Sequence, residues 1–165
     1  MKKILFAAIM LLAPLTMSAQ KFGHFSSTDL VPLMPEYTTA QTELQTLQKQ
    51  YEEDLKRMQD ELQKKSEEFE KEQANLLDNV RQRRQAELED LYKRFQQSVQ
   101  DNNQAFQKAQ AEKMQAISEK IVAAVKQIGD AGGYVYIMDT SAGIPYISPK
   151  LSTDVTPELK KALGI

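Results

Sequence analysis

Residues 36–128 read EYTTAQTELQTLQKQYEEDLKRMQDELQKKSEEFEKEQANLLDNVRQRRQAELEDLYKRFQQSVQDNNQAFQKAQAEKMQAISEKIVAAVKQI, 93 residues without a glycine or a proline. All six Gly and all six Pro of the chain lie outside this run, which is rich in the strong helix formers Gln, Glu, Lys, Leu and Ala. A single straight helix of that length would span about 140 Å. Apolar residues recur at steps of three and four, first at Ala40, Leu44, Leu47, Tyr51, Leu55, Met58, Leu62, Phe69 and Leu76. A second stripe follows at Leu88, Leu91, Tyr92, Phe95, Val99, Phe106, Ile117, Ile121, Val125 and Ile128. Both contain an eleven-residue repeat, Leu47, Met58, Phe69, Val80 and Phe95, Phe106, Ile117, Ile128, which predicts helices with little or slightly right-handed supercoil. Lys64, Lys65 and Ser66, and again Asn102 and Asn103, interrupt the stripes, so the coil they predict is a loose one.

One thin apolar stripe needs a partner, and the nearest is the other half of the same run. Asp78 and Asn79 favour turn or cap conformations, which places a hairpin turn near residues 75–81 and gives two arms of roughly 60 to 75 Å. The first arm, 36–77, carries 6 basic and 11 acidic residues, and the second, 78–128, carries 9 and 7. Antiparallel pairing would set unlike charge side by side, a modest gain because exposed pairs contribute only about 0.2–1 kcal/mol each. The alternative is an unbroken rod pairing with other chains.

Outward from the rod, the composition changes. Lys2 and Lys3 precede an apolar run from Ile4 to Leu15 and the small or polar Thr16, Ser18 and Ala19, the layout of a secretory leader cleaved near Ala19. Twelve apolar residues make only about 18 Å of helix, short of the roughly 30 Å hydrocarbon core of a membrane. Removing residues 1–19 takes the formal net charge from −2 to −4. What remains is 20–35 and 129–165, a discontinuous body. Lys21 to Phe25 and the β-branched and aromatic run Tyr134 to Met138 read as strands, with Ile144 to Ile147 as a third. Ser26 or Ser27 can cap a short helix from Thr28 to about Met34. Thr156, Pro157 and Glu158 read as cap, first helical position and favourable dipole charge of a closing helix. The fold class expected is therefore α+β, mostly α: a long antiparallel helical hairpin projecting from a small β-rich hub.

A body of this size has open sheet edges and little core of its own, so oligomerisation is the natural remedy. Phe22, Phe25, Tyr134, Tyr136 and Ile137 are the apolar residues such a hub would share between copies. Arg81, Arg83 and Arg84 cluster past the turn and form a candidate basic tip that could touch an anionic membrane surface. The chain has no Cys and one His, which excludes zinc fingers and thiol chemistry. No phosphate loop and no nucleophile, base and acid constellation can be drawn from spacing, so no enzymatic activity and no cofactor are expected. His24 reads as a strand or interface residue, and Glu52, Glu53 and Asp54 as a solvated flank. Acidic charge argues against nucleic acid.

Certain stretches in this order carry a resemblance: Phe22 to Phe25 followed by Ser26, Ser27 and Thr28; Met34, Pro35, Glu36 and Tyr37 at the start of the rod; Tyr134 to Asp139 after the double Gly; and Asp154, Val155 and Thr156 before the last helix. With the leader and the long hairpin, they make the chain resemble the Skp/OmpH family of periplasmic chaperones. The resemblance covers essentially the whole chain after the leader. It implies a homotrimer in which a β-rich hub carries three hairpin tentacles that hold unfolded outer-membrane proteins without ATP. Well-known members are basic, whereas this chain is acidic, and only Arg81, Arg83 and Arg84 keep a basic tip. The alternative function is a structural coiled-coil spacer or tether of the cell envelope.

Overall fold

The computed structural model describes residues 20–165; the leader expected at 1–19 lies outside the described residues. Strand β1 (Lys21–Phe25) runs into a short helix α1 (Ser27–Leu30) and a 3-10 turn (Val31–Leu33). Helix α2 (Pro35–Glu72) follows, then a 3-10 turn (Gln73–Asn75), and helix α3 (Asp78–Gly132) returns. Strand β2 (Tyr134–Asp139), a 3-10 turn (Thr140–Ala142), strand β3 (Ser152–Asp154) and helix α4 (Thr156–Leu163) complete the chain.

The two long helices are antiparallel partners, and their register is marked by three ion pairs between them: Glu36 with Lys120, Glu43 with Lys113, and Glu72 with Arg84 at 2.6 Å. At 1.5 Å per residue the arms measure about 57 and 82 Å. The first helix ends at Glu72 and the second begins at Asp78, so the reversal is made by Gln73 to Leu77, slightly ahead of the position that Asp78 and Asn79 suggest. Asp78 instead opens the second helix, where its carboxylate complements the positive helix end and pairs with Arg81. At the other end α3 continues through Gly129 and Gly132, and stops only at Gly133, whose φ of 66° is the left-handed cap conformation. The seam between the arms follows the expected steps from Ala40 to Phe69. In α3 it takes Leu91 rather than Tyr92, which is 50% exposed.

The sheet is parallel in the order β2-β1-β3. Its third strand is not Ile144 to Ile147 but Ser152–Asp154, paired as Phe22 with Ser152, Gly23 with Thr153 and His24 with Asp154. The segment 144–147 contains Pro145, which has no N–H to give to a ladder and belongs in a connection. His24 Nδ1 lies 2.8 Å from Ser152 Oγ, tying the central strand to this edge. Helix α1 is capped by Ser26, whose Oγ accepts from Asp29 N, and α4 begins one residue earlier than read: Thr156 is its first residue. Its amide donates to Asp154 Oδ1 at 2.9 Å, so Asp154 rather than Thr156 satisfies this end.

The core sits where α1 and α4 close over the bases of the arms. Leu30, Met34, Val155 and Leu159 are fully buried, joined by Phe25, Ala40, Ile117, Ile121, Ala124 and Leu163. Ala40, which meets Ala116 and Ile117, is small enough to let the arms approach at their base.

Candidate functional site

Strand alternation, reset by a bulge at Val135 where the register steps from Lys21–Tyr134 to Phe22–Tyr136, separates the five proposed hub residues onto two faces. Phe25 is buried in the chain's own core, and Tyr134 and Ile137 pack against that core. Only Phe22 and Tyr136 lie on the outer face, stacked with ring centroids 4.7 Å apart and an interplanar angle of 29°. They line an apolar cleft with Met138, Ile144, Ile147 and Leu151. Tyr146, 75% exposed, adds to this surface. Met138, Tyr146 and Leu151 therefore belong to the exposed apolar surface and were missed by sequence, because a strand's inward and outward sides cannot be assigned without knowing what covers it.

The turn after β2 is clasped to the turn after β1. Asp139 Oδ1 accepts from Ser27 N at 3.1 Å and from Ser141 N at 2.9 Å. Ser141 Oγ accepts from Thr28 N at 3.1 Å, and Thr140 Oγ1 donates to Phe25 O at 3.0 Å. Partial burial would raise the Asp139 carboxyl, but the hydrogen bonds from Ser27 and Ser141 together outweigh it and hold it below its ordinary value of 3.8. A depressed folded-state value means that the unfolded chain binds the proton more readily, so this stabilisation is fully present above that ordinary value and fades as pH falls through and below it. Asp139→Ala is expected to cost about 1–2 kcal/mol at neutral pH, since two amides lose their acceptor. Urea denaturation of wild type and variant at pH 7 and pH 3 checks this; the gap between them narrows at the lower pH.

At the far end of the arms Leu77 is 74% exposed. The three tip arginines are all paired: Arg81 with Asp78, Arg83 with Glu87 at 3.9 Å, and Arg84 with Glu72. The basic patch that the sequence suggests is therefore largely neutralised by carboxylates that the register brings beside it.

Between base and tip the seam is shallow. From Leu44 to Ala109, Leu91 alone is buried, and Leu47, Tyr51, Leu55, Met58, Leu62, Phe69, Phe95 and Phe106 are half-buried. Ser66 and Asn102 occupy seam positions as half-buried polar residues, whereas Lys64, Lys65 and Asn103 are exposed beside them. A cleft opens between the arms where Leu55 and Met58 meet Ser98 and Asn102. Among the described residues no group of three or more His, Asp and Glu could hold a metal ion, and no helix is long and apolar enough to cross a membrane.

The sequence profile described as "Outer membrane protein (OmpH-like)" matches residues 21–163. The chain belongs to the OmpH-like family. An OmpH-like crystal structure from Caulobacter crescentus CB15, described as that of a candidate outer membrane chaperone, is similar with a TM-score of 0.74 at 15% identity, over 87% of this chain and 83% of that one. At that identity the likeness speaks for the fold, a mostly helical architecture with long helices and a small strand cluster. None of the curated proteins compared with the chain matches it. The OmpH-like match takes in every element from β1 to α4, so the resemblance carried by the strand and cap segments in the sequence is that of the family itself.

Proposed function

We propose that this OmpH-like chain is an ATP-independent periplasmic holding chaperone that binds unfolded outer-membrane proteins and prevents their aggregation. The observation that carries the reading is the shallow seam. Arms whose apolar residues remain half-exposed over most of their length open and re-close at small free-energy cost, and offer many weak contacts rather than one deep pocket. The C. crescentus structure, described as a candidate outer membrane chaperone, supports the same reading. The leader at 1–19 would deliver the chain to the periplasm.

In this proposal three copies join through the sheet end, which unites 20–35 with 129–165, and the hairpins of 36–128 project from it. Phe22 and Tyr136 are the members of the sequence-derived set left open for contact between copies, while Phe25, Tyr134 and Ile137 hold the sheet to the helices behind it. Three arms acting on one client add their weak contacts through effective concentration. Paired as they are, Arg81, Arg83 and Arg84 enter only as a weak, salt-sensitive contact with a membrane surface.

The test is aggregation of a urea-diluted β-barrel protein, followed by light scattering with the purified chain lacking residues 1–19 and with no nucleotide. Suppression at near-equal amounts of trimer and client is expected, together with a complex whose mass is that of three chains plus one client. No suppression at any ratio overturns the proposal, and stoichiometric capture of one folded envelope protein in its place would favour the spacer or tether.

A further inference from the structure

Helix α3 carries a second stripe, offset by one residue from the seam. It holds the amides Gln96, Gln100, Asn103, Gln107 and Gln110, all exposed. Tyr92 begins it, and Met114, Ser118 and Val122 continue it toward the sheet. The steps of three and four keep these residues on one flank of the helix, and none of them is charged. The opposite flank of the seam is different: Arg94, Asp101, Lys108, Glu112 and Lys120 lie there, and Lys120 forms one of the cross-arm ion pairs. In a chain that is 27% charged, one side of this helix is salt-laced, whereas the stripe itself holds no charged residue for about 45 Å, from Tyr92 to Val122 at 1.5 Å per residue, with Lys93 and Glu119 at its outer border.

Two further observations give that stripe a use. Among the described residues, the large apolar side chains that the long helices leave exposed are Tyr92, Met114 and Val122, 62% exposed in the last case; all three belong to α3 and all lie on or beside this stripe. At its sheet end the stripe also runs on into an apolar groove, where Met114, Ser118, Val122 and Val125 face Val31 and Ile137.

We propose that this charge-free stripe of α3 is the surface that holds the client, and that its occupant is an extended, uncharged segment of unfolded polypeptide. This rests on the holding-chaperone reading and specifies its contact surface. An extended chain displays unpaired N–H and C=O groups along its whole length. Gln and Asn each offer both a donor and an acceptor, so a row of them satisfies a backbone whatever its side chains are. Tyr92, Met114 and Val122 supply apolar anchors at intervals, and the lack of charge means that no ion is stripped of water when the segment settles. The stripe accommodates roughly 14 residues at about 3.3 Å each, longer than a single transmembrane β-strand of about 9–11 residues.

The experiment places a photo-crosslinking phenylalanine analogue at Asn103 or Gln107, and for comparison at the exposed Glu53 or Asp60 of α2, in the full chain without its leader. A urea-diluted β-barrel protein is the probe. A second arm measures aggregation suppression by N103E/Q107E, a pair of exposed helix positions whose folding is confirmed by circular dichroism. Cross-links to the barrel concentrated at 103 and 107, with holding weakened roughly tenfold in the double variant, are expected, because an unpaired carboxylate would have to be covered by the client. Wild type that suppresses aggregation beside a double variant that does so equally well, or equal cross-linking from α2, overturns this surface while leaving the chaperone reading standing. Cross-links mainly to another copy of the chain, with a change in the mass of the free protein for the double variant, would overturn it in favour of an inter-copy contact. Wild type without suppression would overturn both.

Discussion

Leu159→Ala is expected to destabilise the sheet end by about 2–5 kcal/mol. Leu159 is 0% exposed and, with Leu30, Met34 and Val155, fills the space between α1, α4 and the bases of the arms. Removing most of its side chain forfeits the burial and leaves a hole that the rigid arm bases cannot collapse to fill. Against the roughly 5–15 kcal/mol that holds an ordinary domain together, that loss separates a folded sheet end from a failing one. The matched control is Leu77→Ala, which changes the same residue type at a tip position 74% exposed and should move stability by no more than about 0.5 kcal/mol. Near-ultraviolet circular dichroism follows the tyrosines, of which Tyr37, Tyr134, Tyr136 and Tyr146 lie at the sheet end and Tyr51 and Tyr92 along the arms, while far-ultraviolet signal is dominated by the arms. The first should melt early in Leu159→Ala. A loss under about 1 kcal/mol would mean that the core is placed elsewhere.

The second large effect has the opposite sign. Asn102→Leu combined with Ser98→Ala fills the cleft against Leu55 and Met58 with apolar atoms, where the natural chain places an amide and a hydroxyl. The site is half-buried, so the gain is a fraction of a full leucine burial, roughly 1–2 kcal/mol. Amide hydrogen exchange should slow in the middle of both arms, where local opening is expected to be easiest in the natural protein. On the proposed function the same variant holds clients less well, because arms closed on their own seam no longer part to admit a chain. Greater arm stability with undiminished suppression of aggregation would separate the shallow seam from the holding activity.

Much of this architecture is legible in the sequence alone. A 93-residue run without Gly or Pro, striped at steps of three and four, leaves few alternatives to long helices, and the charge difference between its halves agrees with the ion pairs that join the arms. Tyr134 to Met138 reads as a strand from its β-branched and aromatic content. Where the structure goes beyond the sequence, what stands opposite each residue makes the choice. Ile144 to Ile147 has strand-like side chains, but Ser152–Asp154 takes the place beside β1, since Pro145 weakens the first and backbone pairing does not require apolar residues. Leu91 and Tyr92 are adjacent and both apolar, and only the partner helix decides which one enters the seam. Arg81, Arg83 and Arg84 form a positive cluster along the sequence, yet Glu72 reaches Arg84 from across the hairpin and Glu87 and Asp78 lie one helical turn away.

By itself, the sequence determined the helices, the presence of two strands and the loose pairing of the arms, because helix periodicity and the absence of backbone breakers act within a few residues of each position. The tertiary structure decided which of Phe22, Phe25, Tyr134, Tyr136 and Ile137 turns outward, which segment closes the sheet, and which stripe of α3 is free of charge and open. Those choices depend on what lies opposite each residue, and in this chain the residues that meet across the sheet are more than a hundred positions apart.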